Sequence, residues 1–373
     1  MAIPYSRFLV GPVTWYGFLI VVGIGLAVFL GLREERRIGL PQDMMLDIAL
    51  VAVPCGIAGA RLYYVAMEWG SFAGNPLAIF SIWEGGLAIY GAVIGGAIGA
   101  CLYCWKKRVS AWAMLDMVAP GLLLAQAIGR WGNYFNGEAF GPVIKNPAFQ
   151  WFPMGVQIGE SGAYVWHMAT FFYESMWNAA GFLALMWLRK QQNRQGNLFL
   201  WYLLIYGSGR FVIEGLRMDS LWLGGVRVSQ GVSLLICLVA AITLLWRAAQ
   251  QRSRVFFMAC AIALVAVGRW FCLGAESYGV VLCILAGLVL WLACSTEGRV
   301  FRSSKKGWFF GALLLLAVDG AGLAVAQMQL FSPGFSGGIH GILCSLALPC
   351  YVYCLIKAFS VAQCTGEGAI QCP

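Results

Sequence analysis

Between Gly129 and Gly141 the chain reads GRWGNYFNGEAFG, which gathers Arg130, Asn133, Asn136 and Glu138 at the end of a long apolar stretch. Hydrocarbon tolerates such groups only when each finds a partner, so a cation at that depth marks a candidate functional site. A guanidinium matches the oxygens of a phosphate, and carboxamides and a carboxylate can hold hydroxyls. The plainer reading is a helix cap followed by a hydrogen-bonded turn, with Gly137 and Gly141 supplying backbone freedom. A second polar set lies further on. Tyr206, Arg210 and Glu214 recur every fourth residue and share one helix face, which Arg217 extends. Alone, Arg210 and Glu214 read as an internal ion pair. With Arg130 on another stretch, the two arginines become a clamp for one anion.

Other polar positions are weaker signals. Tyr90 follows the glycines of WEGGLAIYG, and Arg61 stands in GARLY, where an intramembrane cation needs an acidic or phosphate partner. Tyr16 opens the first apolar run and suits an interfacial belt. His167, Tyr173 and Glu174 read as a polar helix start with a packing pair. The sequence holds no HExxH, GxSxG or phosphate-loop pattern, so metal, serine-hydrolase and nucleotide chemistry lack local support, and no cofactor is expected. Most of the 13 cysteines lie in apolar runs, where a thiol behaves as a small hydrophobe; Cys101 and Cys104 are read the same way.

The elements that must hold these groups are membrane helices. Of 373 residues, 61% are apolar and 11% charged, against about 25% charged in soluble domains. About eleven apolar runs approach the length that crosses ~30 Å of hydrocarbon. They fall near 14–32, 44–67, 78–104, 111–129, 166–188, 197–216, 228–246, 255–273, 278–294, 308–331 and 338–358. The net charge of +9 is spread in clusters between these runs, which argues against nucleic acid as a partner. Arg33, Arg36 and Arg37, then Lys106 to Arg108, then Arg189, Lys190 and Arg194, then Arg247, Arg252 and Arg254, then Arg299 to Lys306 follow alternate runs. That alternation places the N-terminus outside and the C-terminus in the cytoplasm, with no cleavable signal peptide expected. The expected fold is an all-α polytopic bundle of about 11 transmembrane helices: seven form a core within 1–250, and about four more lie in 251–373. The long outer loop 130–165 is expected to form a small cap.

Taken together, these motifs resemble prolipoprotein diacylglyceryl transferases. Gly129 to Gly141 resembles that family's GRxGNxxNxExxG, and Tyr206-x3-Arg210-x3-Glu214 its YGxxRFxxE. Gly59 to Tyr63 resembles GARLxY, and the segment from Glu84 to Gly96 resembles a glycine-rich motif with His or Tyr at the position of Tyr90. The likeness covers about 1–246. It implies transfer of the diacylglyceryl group of phosphatidylglycerol to the lipobox Cys of a preprolipoprotein signal peptide, in the bacterial cytoplasmic (inner) membrane. A thioether forms and glycerol phosphate leaves. Carried over, Arg130, Glu138, Arg210, Glu214 and Tyr90 are the catalytic candidates. Asn133, Asn136, Gly141, Tyr206, Arg61 and Tyr16 are the substrate-binding candidates. Two departures stand out. Many relatives have His at position 90, and a phenol is a poorer base. The region of His167 matches the family's HPxQxYE poorly, so His167 is not carried over. A transporter or channel for an anionic solute is the alternative, and a lipid-binding scaffold without chemistry is a third reading; no internal repeat supports the transporter.

Overall fold

The computed structural model describes residues 7–248, apart from position 12 and the stretches 83–84, 161–162, 192–193, 218–221 and 224–225. The runs expected between 255 and 358, the count of eleven and the partition at 250 therefore lie outside the described residues. A short hairpin of β1 (Phe8–Val10) and β2 (Val13–Thr14) leads into α1 (Trp15–Ile38). Next come α2 (Met44–Met67), the single turn α3 (Trp69–Phe72), a 3-10 turn at Pro76–Phe80, α4 (Ile89–Lys107) and α5 (Ala111–Asn136). An antiparallel hairpin of β3 (Gly155–Glu160) and β4 (Ala163–Met168) precedes α6 (Thr170–Leu188) and α7 (Asn197–Leu216). A last small hairpin, β5 (Trp222–Leu223) with β6 (Val226–Arg227), runs into α8 (Val228–Ala248). Four of the described helices, α1, α2, α4 and α5, are long and apolar enough to cross a membrane.

The chain divides into two compact units. One holds Val21–Ala125 and Leu188–Phe199. Its helices approach closely because small residues face each other. A Cβ added at Gly95 would lie 3.0 Å from Gly59 Cα, and one at Gly121 would lie 3.0 Å from Ala27 Cα. Without a strong hydrophobic force between helices in lipid, such contacts supply the association energy by dispersion. Met44, Met45, Ile48, Met114 and Met117 fill the space beside them. Charges are buried here too. Glu35 accepts the backbone N–H groups of Asp43 and Met45, each at 2.9 Å. Glu34 pairs with Arg37 and, at 2.7 Å, with Arg189. Asp116 accepts from the N–H groups of Gly196 and Phe199 at 2.6 and 2.8 Å, which satisfies donors that the start of α7 leaves open.

The other unit holds the described residues of Met1–Ile20, Gln126–Trp187 and Leu200–Pro373. Its α5 segment is tied to α6 by Ser175 Oγ donating to the Ala127 carbonyl at 2.8 Å. The same segment is tied to α7 by Gln126 Nε2 donating to the Tyr202 hydroxyl at 3.0 Å. Trp177 Nε1 donates to the Ile205 carbonyl at 2.8 Å and joins α6 to α7. The β3–β4 hairpin caps these helices: Val156 and Ile158 pack with Tyr134, Ala169 and Phe171.

Three boundaries differ from expectation, each for a local reason. The fourth run does not end at 129. Arg130 to Asn136 continue α5 until Gly137 takes a positive φ of 66° and stops it. The third run does not begin at 78. Pro76 opens a 3-10 turn, Gly85 and Gly86 have positive φ, and the helix starts only at Ile89. The fifth run does not begin at 166, because β4 extends through Met168 as the partner of β3. The loop expected at 130–165 is thus, in its described residues, a helix end, turn and hairpin, and the described fold is helical with small strands rather than purely α.

Candidate active site

The last turns of α5 carry Arg130, Asn133 and Asn136, and α7 carries Tyr206, Arg210 and Glu214 on one face. The two arginines meet on a single acid. Arg130 Nη2 lies 2.8 Å from Glu174 Oε1, and Arg210 Nη1 lies 3.2 Å from Glu174 Oε2. Glu174 stands one turn into α6, beyond Ala169 and Phe171, which anchor the helix start in the cap's core. Its side chain is 3% exposed, while those of Arg130 and Arg210 are 19% and 16% exposed, so the arginines are the more accessible members of the cluster. Arg210 Nη2 also pairs with Glu214 at 2.7 Å, as the four-residue spacing predicts. Arg217 approaches Glu214 at 3.9 Å, and Arg227 donates to the Glu214 carbonyl. Tyr206 hydrogen-bonds Arg130 and stacks on Tyr202 at 5.9 Å between ring centroids.

Beside this pair lies a second polar group. Asn133 Nδ2 and Asn136 Nδ2 both donate to Glu138 Oε1, at 3.1 and 3.0 Å. The backbone turn that permits this is fixed from both sides. The Glu138 N–H donates to the Asn133 carbonyl at 3.0 Å, and Thr170 Oγ1 donates to the Ala139 carbonyl at 2.6 Å. Ala139 has φ 56°, an uncommon conformation for a residue with a Cβ. Gly141 follows, with its N–H on the Met168 carbonyl at 2.9 Å. A Cβ there would meet the Leu216 carbonyl oxygen, Met168 Cβ and Thr170 Cγ2, each at 3.0 Å, so a larger residue would have to push apart the turn, β4, α6 and the end of α7, which converge here. His167 Nδ1 hydrogen-bonds the Gly141 carbonyl at 2.9 Å from a buried position, so His167 fastens the turn.

Tyr16 reaches the same unit from the start of α1. Its ring packs on Gly132 of α5, and Trp15 stacks on Phe135 at 4.7 Å. The remaining candidates belong to the other unit and are described within it. Tyr90, the second residue of α4, is 37% exposed, with Tyr63 as its ring neighbour at 6.4 Å. Arg61 is held by main chain among the described residues. Its five N–H groups go to five backbone carbonyls: Nε to Ile79, Nη1 to Gly85 and Gly86, and Nη2 to Ala78 and Ser81, at 2.6–3.3 Å. The positive φ values of Gly85 and Gly86 turn two of those carbonyls towards it, and a Cβ on Gly86 would stand 2.6 Å from Nη1.

The sequence reading missed Glu174 as the hub of the site and treated it as part of a packing pair. Charge balance was the available signal. Two intramembrane arginines and Arg217 outnumber Glu214, which pointed to a further acid on a neighbouring helix. It also missed Gln126 and Tyr202, which extend the polar column one turn from Arg130 and Tyr206.

A family model described as prolipoprotein diacylglyceryl transferase matches residues 6–246. The chain belongs to this family. A relative from Enterococcus faecalis is 44% identical over 243 residues, covering 63% of this chain and 87% of its own length. One from Streptococcus agalactiae is 42% identical over 245 residues, covering 65% and 95%. One from Limosilactobacillus reuteri is 43% identical over 247 residues, covering 64% and 88%. All three are named phosphatidylglycerol–prolipoprotein diacylglyceryl transferase, a transferase name that gives no support to the transporter alternative. Family and apolar helices together make this a multi-pass membrane transferase.

Proposed function

We propose that this chain performs the transfer for which its relatives are named, and that the Arg130–Arg210 pair is where the lipid phosphate is held. The substrate is phosphatidylglycerol. The acceptor is the lipobox thiol of a preprolipoprotein signal peptide. The carrying observation is the convergence of two guanidinium groups from α5 and α7 on the two oxygens of one carboxylate, an acceptor that a phosphate resembles.

In the reaction the Cys sulfur attacks the glyceryl carbon that bears the phosphate. The S–C bond forms, the C–O bond breaks, and the electron pair leaves on a phosphate oxygen. Charge therefore builds on the departing phosphate, and two preorganised cations in a water-poor site stabilise it where it develops. Asn133, Asn136 and Glu138 are suited to the glycerol hydroxyls; the buried Asn136 Oδ1 has no hydrogen-bond partner among the described residues and can accept one. Tyr206 steadies Arg130. Tyr16 packs beside Gly132 and keeps that face of α5 closed. Gly141 holds the turn in place. The thiol must lose its proton, and with a pKa of ~8.5 it is mostly protonated at neutral pH. Glu138 or Glu214 takes that proton on to water, and Tyr90 orients the acceptor. Arg61 acts as a positioning residue through the backbone it gathers. Confinement of both substrates to one bilayer supplies proximity. The core within 1–250 lies in the bacterial cytoplasmic membrane with its N-terminus outside.

The test is the purified protein in phosphatidylglycerol nanodiscs with a lipobox peptide. A peptide mass gain of one diacylglyceryl group, with stoichiometric glycerol phosphate, is expected. Tight lipid binding without either product would establish a scaffold and overturn the reading.

A further inference from the structure

We propose that Glu174 is a fixed counter-anion that makes the guanidinium pair discriminate by phosphate charge, retaining the phosphodiester substrate and expelling the phosphomonoester product. The proposal rests on the transferase reading and adds a specificity role to a residue outside the expected set.

Three observations carry it. Glu174 contacts both arginines, at 2.8 and 3.2 Å, so any anion on the pair also feels its charge. Its side chain is 3% exposed, whereas those of Arg130 and Arg210 are 19% and 16% exposed, so the arginines are the members of the cluster that an anion reaches first. Neither arginine depends on Glu174 alone: Arg210 keeps Glu214 at 2.7 Å and Arg130 keeps Tyr206. The pair can therefore share its donors with an incoming phosphate without leaving an unpartnered cation.

Charge arithmetic follows from the reaction itself. Phosphatidylglycerol presents a phosphodiester with one negative charge. The product is a phosphomonoester, which carries nearly two at neutral pH. Coulomb energy is linear in ligand charge, so a neighbouring carboxylate penalises the dianion about twice as much as the monoanion on a logarithmic scale. An arginine pair without that acid would grip the product more tightly than the substrate and stall after each turnover. With Glu174 in place, the pair still stabilises the developing charge, but its grip on the dianion is weaker than that of two arginines alone.

The experiment measures displacement of a fluorescent phosphatidylglycerol from nanodisc-embedded protein by two soluble probes, glycerol phosphate and glycerophosphoglycerol. The native chain is expected to bind the diester at least as well as the monoester. In Glu174→Gln, affinity for the diester should rise about tenfold and affinity for the monoester about a hundredfold, and glycerol phosphate should become a strong inhibitor of transfer. Glu174→Asp, which keeps the charge, should preserve the native ratio. An unchanged monoester-to-diester ratio in Glu174→Gln overturns the proposal. If Glu174→Gln does not fold, the native ratio decides, because a strong native preference for the monoester overturns it equally. The binding readout does not need turnover: absent transfer with the expected ratios would remove the transferase reading alone, and normal transfer with an unshifted ratio would remove the role of Glu174 alone.

Discussion

Arg61 on α2 and Arg210 on α7 are both guanidinium groups set in apolar helices, yet their partners differ in kind. Arg61 spends all five donors on backbone carbonyls of 78–86, groups that cannot move without unfolding the segment. Glu35 and Asp116, in the same unit, are likewise held by backbone N–H groups. Arg210 instead faces the side-chain carboxylates of Glu174 and Glu214, is itself partly exposed, and shares Glu174 with Arg130. Side-chain partners on separate helices can rearrange around a ligand; backbone partners cannot. A buried charge tied to main chain is therefore a fastening, whereas a partly exposed cation tied to carboxylates of other side chains can share its donors with an anion. Burial alone does not separate the two, because every one of these groups lies within a largely apolar unit.

The contrast breaks first at the arginines. Arg130→Ala or Arg210→Ala should lower peptide transfer by about a thousandfold, since each removes a donor from the leaving phosphate, with protein still inserted. Mass spectrometry of the lipobox peptide reads the loss, and normal turnover in either variant would refute the clamp. The lysine variants should also be severely impaired, because a point charge cannot bridge two oxygens as a planar fork does.

Arg61→Lys should act on stability instead. Three donors replace five, so at least two carbonyls lose a partner, at a cost of about 2–4 kcal/mol. The checks are the midpoint of thermal unfolding in detergent and the activity per folded molecule. Intact stability with a raised KM for phosphatidylglycerol would move Arg61 from fastening to substrate contact.

Gly141→Ala probes the junction between the turn and the helices. Three atoms at 3.0 Å must give way, two of them on β4 and α6, so about 1–3 kcal/mol of strain and a roughly tenfold fall in kcat/KM are expected. The smallest effect should come from Tyr90→Phe. A ring that is 37% exposed, with Tyr63 as neighbour, keeps its packing when the hydroxyl is lost, so transfer should fall less than about tenfold. A loss beyond a hundredfold would instead make Tyr90 the base.

Sequence alone determined much of this protein. Hydropathy set the helices from 14 to 246, because lipid leaves the backbone few choices. The spacing of Tyr206, Arg210 and Glu214 fixed their common face and the Arg210–Glu214 pair, because both follow from the helix repeat. The cluster from Arg130 to Glu138 was visible because its polarity is out of place in an apolar chain. Only tertiary structure decided the rest. Glu174 became the hub because α6 brings it to two other helices, and no local spacing encodes a contact across 44 and 36 positions. Arg61 became a fastening because main-chain carbonyls, which carry no residue identity, turned towards it. Which charges are free to serve a substrate is a matter of what surrounds them in space, and a linear pattern records only which charges are present.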